Sequence, residues 1–238
     1  MNIAVIFAGG SGRRMNTIAK PKQFLEFRGK PIIVYTLEHF ENHSEIDGII
    51  VVCIKEWIQY LQKLVAKFEI TKVKEIVSGG ETGQDSIYNG LESAAYYYPK
   101  DSIVLIHDGV RPLITQQTIT DNIETVKKFK SCITCVPATE TFVIDNHDHT
   151  LRIPKRADSM IARAPQSFIL SDILSAHYRA INENNHEFID SCSMMNFYGY
   201  KIHTIIGPME NIKITTPSDY FIFKAMIDVY ENQQIFGF

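Results

Sequence analysis

The chain has no long hydrophobic run, and none of its apolar stretches approaches the roughly 18 residues that span a bilayer. The apolar residues 3–8 are too few for a signal-peptide core, and no basic segment precedes them. It also has no excess of positive charge, since 24 Lys and Arg residues stand against 27 Asp and Glu residues. This balance argues against nucleic-acid and anionic-membrane partners. We therefore expect a cytoplasmic protein with neither kind of partner.

Cysteine is scarce, with four residues in the 238-residue chain. Cys132 and Cys135 form a C-x-x-C pair, which could indicate a redox or zinc site. Residues 131–137 have the pattern of a buried strand, however, and residues three apart on a strand point to opposite faces. We interpret both as structural cysteines. His147 and His149 flank Asp148 in a polar loop, which without a second ligand pair nearby indicates a solvated turn rather than a metal site.

The most informative stretch is the N-terminus, where a short β-prone run leads into glycines and then into four cations. Glycine permits the tight conformations that let backbone amides converge on an anion. Amides together with cations suit a polyphosphate and a transition state that gathers negative charge on phosphorus. The predicted phosphate loop is Phe7, Ala8, Gly9, Gly10, Ser11 and Gly12, followed by Arg13, Arg14, Lys20 and Lys22.

Two better-known phosphate motifs do not fit this loop. The chain has no G-x-x-x-x-G-K-[ST] Walker A sequence. A dinucleotide loop needs a third glycine or an alanine where this chain has Met15. An ordinary strand-to-loop turn with solvated basic residues remains the alternative to a phosphate site.

Strand and helix patterns alternate along most of the chain. Strands are predicted at 3–7, 48–54, 72–77, 102–107, 131–137, 167–170 and 201–206. Helices are predicted at 31–40, 57–68, 116–129, 171–182 and 216–232, with another after residue 86 and a short one from 188. This order predicts a single α/β domain over residues 1–238, a Rossmann-like doubly wound and mainly parallel sheet. Residues 138–163 alternate around a turn at 145–148 and predict an inserted β-arm.

Polar residues follow two of the other predicted strands. Gly79 and Gly80 precede a helix, with Glu81, Thr82, Asp85 and Ser86 between. Thr82 or Asp85 could bind a ligand or simply cap the helix. Asp108 ends a buried strand, at the edge where doubly wound sheets bind ligands, and could orient a ribose or hold Mg²⁺. Arg111 could pair with a nearby acid or steer the nucleotide.

The run A-G-G-S-G-R-R-M followed by K-P-K-Q-F resembles the signature of sugar-phosphate cytidylyltransferases. Five segments along nearly the whole chain match that family in order, including N-I-K-I-T at 211–215. The resemblance implies a nucleotidyltransferase fold of the GT-A-like kind. It also implies that CTP and an alditol phosphate react to give a CDP-alditol and pyrophosphate, with Mg²⁺ held mainly by the CTP phosphates.

The resemblance also implies roles for particular residues. Residues 8–12 would cradle the triphosphate, and Arg14 and Lys22 would stabilise charge on the α-phosphate and leaving group. The segment from Gly80 to Ser86 would border the nucleoside, and Asp108 would hold the ribose or the metal. Arg156 and Lys213, with Thr141 beside them, would clamp the incoming phosphate monoester.

In the relatives, an arm like residues 138–163 embraces a second subunit and reaches its active site, which implies a homodimer. The family includes methylerythritol-phosphate and ribitol-phosphate enzymes. Gly9, Ala164 and Ile189 depart from the methylerythritol pattern, and G-P-M-E-N-I-K-I-T-T-P looks more like the ribitol enzymes. We therefore favour ribitol 5-phosphate as the acceptor, with a product used for teichoic-acid or capsule synthesis. Methylerythritol 4-phosphate and a non-catalytic nucleotide-binding module are the alternatives.

Overall fold

A seven-stranded sheet forms the centre of the protein. The computed structural model describes residues 1–9 and 20–236, with side chains described as far as residue 232. The main-sheet strands are β1 (Asn2–Ala8), β4 (Gly48–Cys53), β5 (Val73–Ser78), β6 (Ile103–Asp108), β7 (Ser131–Pro137), β10 (Met160–Ile169) and β11 (Thr204–Ile206). Two-residue strands form two small hairpins, β2 (Glu26–Phe27) with β3 (Lys30–Pro31), and β8 (Ile144–Asp145) with β9 (Leu151–Arg152).

Seven α-helices lie among the described residues, and they connect or follow the strands. They are α1 (Ile32–Glu41), α2 (Ile58–Lys67), α3 (Gly83–Tyr97), α4 (Gln116–Phe129), α5 (Leu170–Asn182), α6 (Ser191–Phe197) and α7 (Pro217–Phe236). Thr115 caps α4 by accepting the Thr118 N–H, as hydroxyl residues commonly do at a helix start.

The strand order across the sheet is β11-β7-β10-β6-β1-β4-β5. Strand β1 pairs in parallel with both β4 and β6, and β4 pairs in parallel with β5. Strand β10 is antiparallel to both of its neighbours, β6 and β7. The mainly parallel α/β fold predicted from the sequence is confirmed, with β10 as the strand that runs the other way.

Helices cover both faces of the sheet, and alternate residues of β1 point into two separate cores. Ala4 and Ile6 pack with residues of α1, α2 and α4 on one face. Ile3 and Val5 pack with residues of α3, α5 and α6 on the other. Strands buried on both faces explain the unbroken apolar runs in the sequence. The carboxyl ends of the parallel strands are therefore left as the accessible edge.

The two cysteines of the C-x-x-C pair belong to opposite cores, Cys132 to the first and Cys135 to the second. Both are buried as free thiols, and burial raises the pKa of Cys132 to about 12. The structural interpretation of this pair is confirmed.

The predicted arm contains the β8–β9 hairpin, whose residues are exposed. The structure places residues 160–163 of the predicted arm in the central sheet, because β10 begins at Met160 and pairs with β7 from Pro137. No helix within residues 1–9 and 20–236 combines enough length and apolar character to cross a membrane.

Candidate active site

The carboxyl ends of β1, β5 and β6 lie at one edge of the sheet. The Gly109 N–H, just after β6, donates to the carbonyl of Phe7 at 2.8 Å. A Cβ added to Gly9 would lie 3.5 Å from Ser86 Oγ, so the first glycine loop starts beside the second. This edge is where doubly wound sheets bind ligands.

The second glycine segment is built as a helix start. Thr82 and Asp85 form a reciprocal capping box on α3. Ser86 Oγ accepts the Gly80 N–H at 2.9 Å and donates to the Thr82 carbonyl at 2.8 Å. A Cβ on Gly80 would lie only 2.4 Å from Asp85 Cβ, so this position requires glycine. These side chains shape the loop, and their contact with a nucleotide stays a prediction, as does that of the exposed Glu81.

A carboxylate paired with two cations lies at the end of β6. Lys213 Nζ is 2.6 Å from Asp108 Oδ1, and Arg111 Nε is 2.8 Å from Asp108 Oδ2. Burial alone would raise the pKa of Asp108, but the charges and hydrogen bonds of Lys213 and Arg111 hold it well below its usual range. Asp108 therefore stays ionised at neutral pH and fixes both cations in place.

This pairing bears on the predicted metal role of Asp108. Each of its oxygens already faces a cation, which argues against a direct metal bond in this arrangement. Within the described ranges, no group of three or more His, Cys, Asp or Glu residues is arranged to hold a metal ion. Among the described residues, these side chains as arranged do not form a cation site, and the metal role of Asp108 stays a prediction.

The segment that carries Lys213 is held to the sheet edge by its neighbours. The carbonyl of Asn211 accepts from Arg111 Nη1 at 2.9 Å, and its side-chain amide donates to the Ala164 carbonyl at 2.8 Å. The Ile214 N–H donates to the Val110 carbonyl at 2.9 Å. These bonds position Lys213 at Asp108, although residues 211–215 form no regular strand. The sequence pattern did not predict these bonds.

The K-P-K-Q-F segment also has a structural explanation. Gln23, which is buried, donates its side-chain amide to the Ala8 carbonyl at 2.7 Å. Phe24 is fully buried and stacks on Trp57 with ring centroids 5.0 Å apart. Lys20, the first lysine of the segment, forms an ion pair with Glu26 at 2.7 Å. Lys22 begins the 3₁₀ turn that Gln23 ties to the end of β1.

Replacing Gln23 by methionine is expected to lower the free energy of unfolding by about 1–3 kcal/mol, because the buried Ala8 carbonyl loses its donor. Urea unfolding measures the change. Gln116→Met is the matched control, since the Gln116 amide also donates to a backbone carbonyl, that of His39, but at an exposed position. We expect the control to stay within about 0.5 kcal/mol of the parent. Equal losses in the two variants would contradict a special role for Gln23.

A cavity of about 260 Å³ opens beside the paired carboxylate. Four of the predicted site residues line it: Phe7, Asp108, Arg111 and Lys213. Thr141 and Arg156 do not line it and are exposed on the arm. The predicted residues Gly10, Ser11, Gly12 and Arg14 lie outside the described residues.

Comparison with known proteins identifies the family of the chain. Residues 2–228 match the family model described as 2-C-methyl-D-erythritol 4-phosphate cytidylyltransferase. The chain belongs to this cytidylyltransferase family. It is 55% identical to a ribitol-5-phosphate cytidylyltransferase of Vibrio parahaemolyticus over the full length of both chains. It is 35% identical to a 2-C-methyl-D-erythritol 4-phosphate cytidylyltransferase of Clostridium botulinum, covering 95% of this chain and 97% of the relative.

A solved structure of 4-diphosphocytidyl-2C-methyl-D-erythritol synthase from Anaerococcus prevotii superposes with a TM-score of 0.82 at 27% identity. The match covers 95% of this chain and 96% of the other. Fold and family are therefore established together, and the predicted resemblance is confirmed.

The cavity beside Asp108 is lined by polar residues that the sequence interpretation missed. Gln166 joins the N-terminus of α6 to β10, because its amide nitrogen donates to Asp190 and its oxygen accepts from the Cys192 N–H, both at 2.9 Å. The other missed residues that line the cavity include Gln84, Arg163, His177 and Ser191. Gln166 directly precedes the strand predicted at 167–170, and its polar side chain beside an apolar run is a signal that could have marked it. No local signal marks the others.

Proposed function

We propose that the protein transfers CMP from CTP to D-ribitol 5-phosphate, giving CDP-ribitol and pyrophosphate. The observation that carries the proposal is the group of Lys213, Asp108 and Arg111 at the carboxyl edge of the parallel strands, beside the end of β1. Full-length identity of 55% to a ribitol-5-phosphate cytidylyltransferase supports ribitol 5-phosphate as the acceptor. The product would supply activated ribitol phosphate for a polymer such as teichoic acid or capsule.

In the proposed reaction, a phosphate oxygen of ribitol 5-phosphate attacks the α-phosphorus of CTP. One P–O bond forms, the bond to the bridging oxygen breaks, and the electron pair leaves with pyrophosphate. Lys22 and Arg14 would stabilise the charge that develops on the α-phosphate and the leaving group. Lys213, held by Asp108, would bind the attacking phosphate monoester. Positioning and charge stabilisation supply most of the acceleration in phosphoryl-type transfers.

We propose that Mg²⁺ arrives with the phosphates of CTP rather than at a site built by the protein. Mg²⁺ commonly binds through substrate phosphates and few protein carboxylates. When bound, it would neutralise part of the triphosphate charge. This arrangement agrees with the pairing of both Asp108 oxygens with cations.

The test is pyrophosphate release from CTP and Mg²⁺ with ribitol 5-phosphate, with methylerythritol 4-phosphate, or with neither. Release that depends on ribitol 5-phosphate, together with CDP-ribitol by mass spectrometry, is the expected result. Release that depends on methylerythritol 4-phosphate instead would establish the alternative acceptor. Tight CTP binding with no release under any condition would indicate a non-catalytic module.

We also propose that the protein is a homodimer joined through the arm. Apolar side chains of the arm are exposed in the single chain: Phe142, Val143, Ile144, Leu151 and Ile153. Large exposed apolar groups in one region commonly mark an interaction surface. Arg156 and Thr141, which do not line the cavity of their own chain, would then serve the site of the partner subunit.

Arg156→Ala is expected to raise the KM for ribitol 5-phosphate roughly ten- to hundredfold, because a charged hydrogen bond to phosphate is lost. The KM for CTP should be nearly unchanged. Arg152→Ala, on the same exposed arm, is the control and should behave like the parent.

Mixing the Arg156→Ala variant with a Lys213→Met variant shows whether the arm serves the site of the partner subunit or the site of its own chain. If the arm serves the partner, mixed dimers contain one site with both Arg156 and Lys213, and activity returns. If each arm serves its own chain, no site contains both residues and mixing restores nothing. The second result would contradict the arm proposal.

A further inference from the structure

The cavity beside Asp108 contains buried polar groups that the reaction described above does not use. Gln84, His177 and Ser191 line it, and their exposed fractions are 8%, 1% and 3%. Gln84 Oε1, Ser191 Oγ and both ring nitrogens of His177 have no hydrogen-bond partner within the described part of the chain. Buried polar atoms are nearly always paired, so such a concentration in one cavity points to a ligand.

The three groups come from three helices on the same face of the sheet. Gln84 lies in the first turn of α3, His177 in α5 and Ser191 at the start of α6. The side-chain nitrogen of Gln84 faces the Asn185 carbonyl at 3.4 Å, which leaves its oxygen directed elsewhere. Apolar residues complete the wall: Phe7, Ile87, Ile106, Phe188 and Met194.

The chemistry of these groups selects the class of ligand. Burial lowers the pKa of His177 to about 4, so its ring is neutral near pH 7 and offers one donor and one acceptor. The serine hydroxyl can donate and accept, and the glutamine oxygen accepts. A set of neutral donors and acceptors suits hydroxyl groups, whereas the cations Lys213 and Arg111, which also line the cavity, suit a phosphate.

We propose that this cavity is a polyol pocket, in which Gln84, His177 and Ser191 bind the hydroxyls of the acceptor that lie farthest from its phosphate. The inference rests on the proposed function and extends it to acceptor length. A cavity of about 260 Å³ is far larger than the space that one water molecule needs, so it has room for several CHOH units. Lys213 and Asp108 line the same cavity, and Lys213, fixed in place by Asp108, would hold the phosphate end.

Arg163 adds a charged donor to the same pocket. Its Nε is buried and lacks a partner among the described residues. Burial and the nearby charge of Arg111 lower the pKa of Arg163, so the guanidinium is not compensated by an acid there. A guanidinium with no acid beside it can donate to the phosphate end of the acceptor together with Lys213, which leaves the hydroxyls to the neutral groups.

The nucleoside is a less suitable occupant of the polyol pocket. The loop predicted to border the nucleoside reaches the cavity only through Gly83 and Gln84, and neither Gly80 nor Glu81 lines it. The test below therefore measures CTP kinetics alongside those of the acceptor.

The test compares Ser191→Ala with Ser102→Ala in the full-length enzyme. Ser102 is a matched control, because its hydroxyl is also buried and lacks a partner in the described ranges, but it precedes β6 and does not line the cavity. We expect Ser191→Ala to raise the KM for ribitol 5-phosphate roughly three- to tenfold. The KM for CTP and the inhibition constant of glycerol 3-phosphate, which is two carbons shorter, should stay at parent values. Ser102→Ala should change none of the three.

A second variant, His177→Asn, keeps a neutral donor and acceptor but shortens the side chain. It should show the same selective loss, and thermal unfolding of both variants checks that the fold is retained. An equal rise for ribitol 5-phosphate and glycerol 3-phosphate, or a rise for CTP alone, would overturn the polyol pocket. So would unchanged kinetics in both variants. If the parent enzyme makes no CDP-ribitol at all, the proposed function itself is wrong, which is a distinct result.

Discussion

Replacing Lys213 by methionine is expected to lower kcat/KM for ribitol 5-phosphate about 10²–10³-fold while the protein stays folded. Removing a preorganised charge that faces a developing or incoming anion typically costs this much in rate. Lys213 Nζ is 2.6 Å from Asp108 Oδ1, and its side chain is still 39% exposed, so it is both fixed and open to a ligand. Steady-state kinetics with the acceptor varied at saturating CTP measure the loss.

Lys201→Met is the matched control for this prediction. Lys201 is an exposed lysine on the approach to β11, and its backbone carbonyl accepts from Ser131 Oγ in either variant. The control should retain parental kcat/KM. A fully active Lys213→Met enzyme would mean that the ion pair with Asp108 only secures the fold.

An Asp108→Asn variant would separate positioning from direct binding by Lys213. Without the carboxylate, Lys213 and Arg111 would face each other with no acid between them. We expect a loss in kcat/KM of the same order as for Lys213→Met, and little further loss when the two changes are combined. Strong non-additivity is typical of residues that act as one unit.

Much of the fold followed from the sequence because the strands of this sheet are buried on both faces. An unbroken apolar run such as residues 48–53 has few other stable environments. Strand β10 was harder, because Arg163 and Pro165 interrupt its apolar pattern and the pairing with β7 is irregular between Ala162 and Gln166. The strand was therefore predicted at 167–170, although it begins at Met160.

The site was only partly predictable, for a physical reason. Asp108 directly follows an apolar strand run, so its position at the sheet edge could be inferred from local order alone. Gln84, His177 and Ser191 are far apart in sequence, and only the packing of three helices brings them to one cavity. A buried polar residue on a helix has no local signal that separates a ligand contact from a core hydrogen bond.

Thr82 and Asp85, in contrast, have a clear local signal in the sequence, but that signal has two possible meanings. Their spacing satisfied both a helix cap and a nucleotide contact, and the structure shows the cap. Such residues hold the loop backbone in shape, and their contact with a nucleotide stays a prediction. Sequence spacing alone could not separate the two roles because both use the same first turn of α3.

The second large effect is expected from Lys22→Ala, with a loss of about 10²–10³ in kcat and a retained fold. The turn that begins at Lys22 is tied to the end of β1 by the amide of Gln23 and is anchored by the buried ring of Phe24. This anchoring places the backbone of Lys22 near the end of β1, where the loop predicted to hold the triphosphate begins. A charge held there before the reaction needs no reorganisation as pyrophosphate leaves.

Lys30→Ala is the control for Lys22→Ala, because Lys30 lies eight residues away and its charge is paired with Glu38 at 2.7 Å. Single-turnover measurement of pyrophosphate release reports the chemical step in both variants, and CTP titration reports binding. We expect Lys22→Ala to lose rate far more than CTP affinity, since charge accumulates in the transition state beyond that of bound CTP. A loss confined to CTP affinity would assign Lys22 to ground-state binding, and equal rates in the two variants would remove it from the reaction.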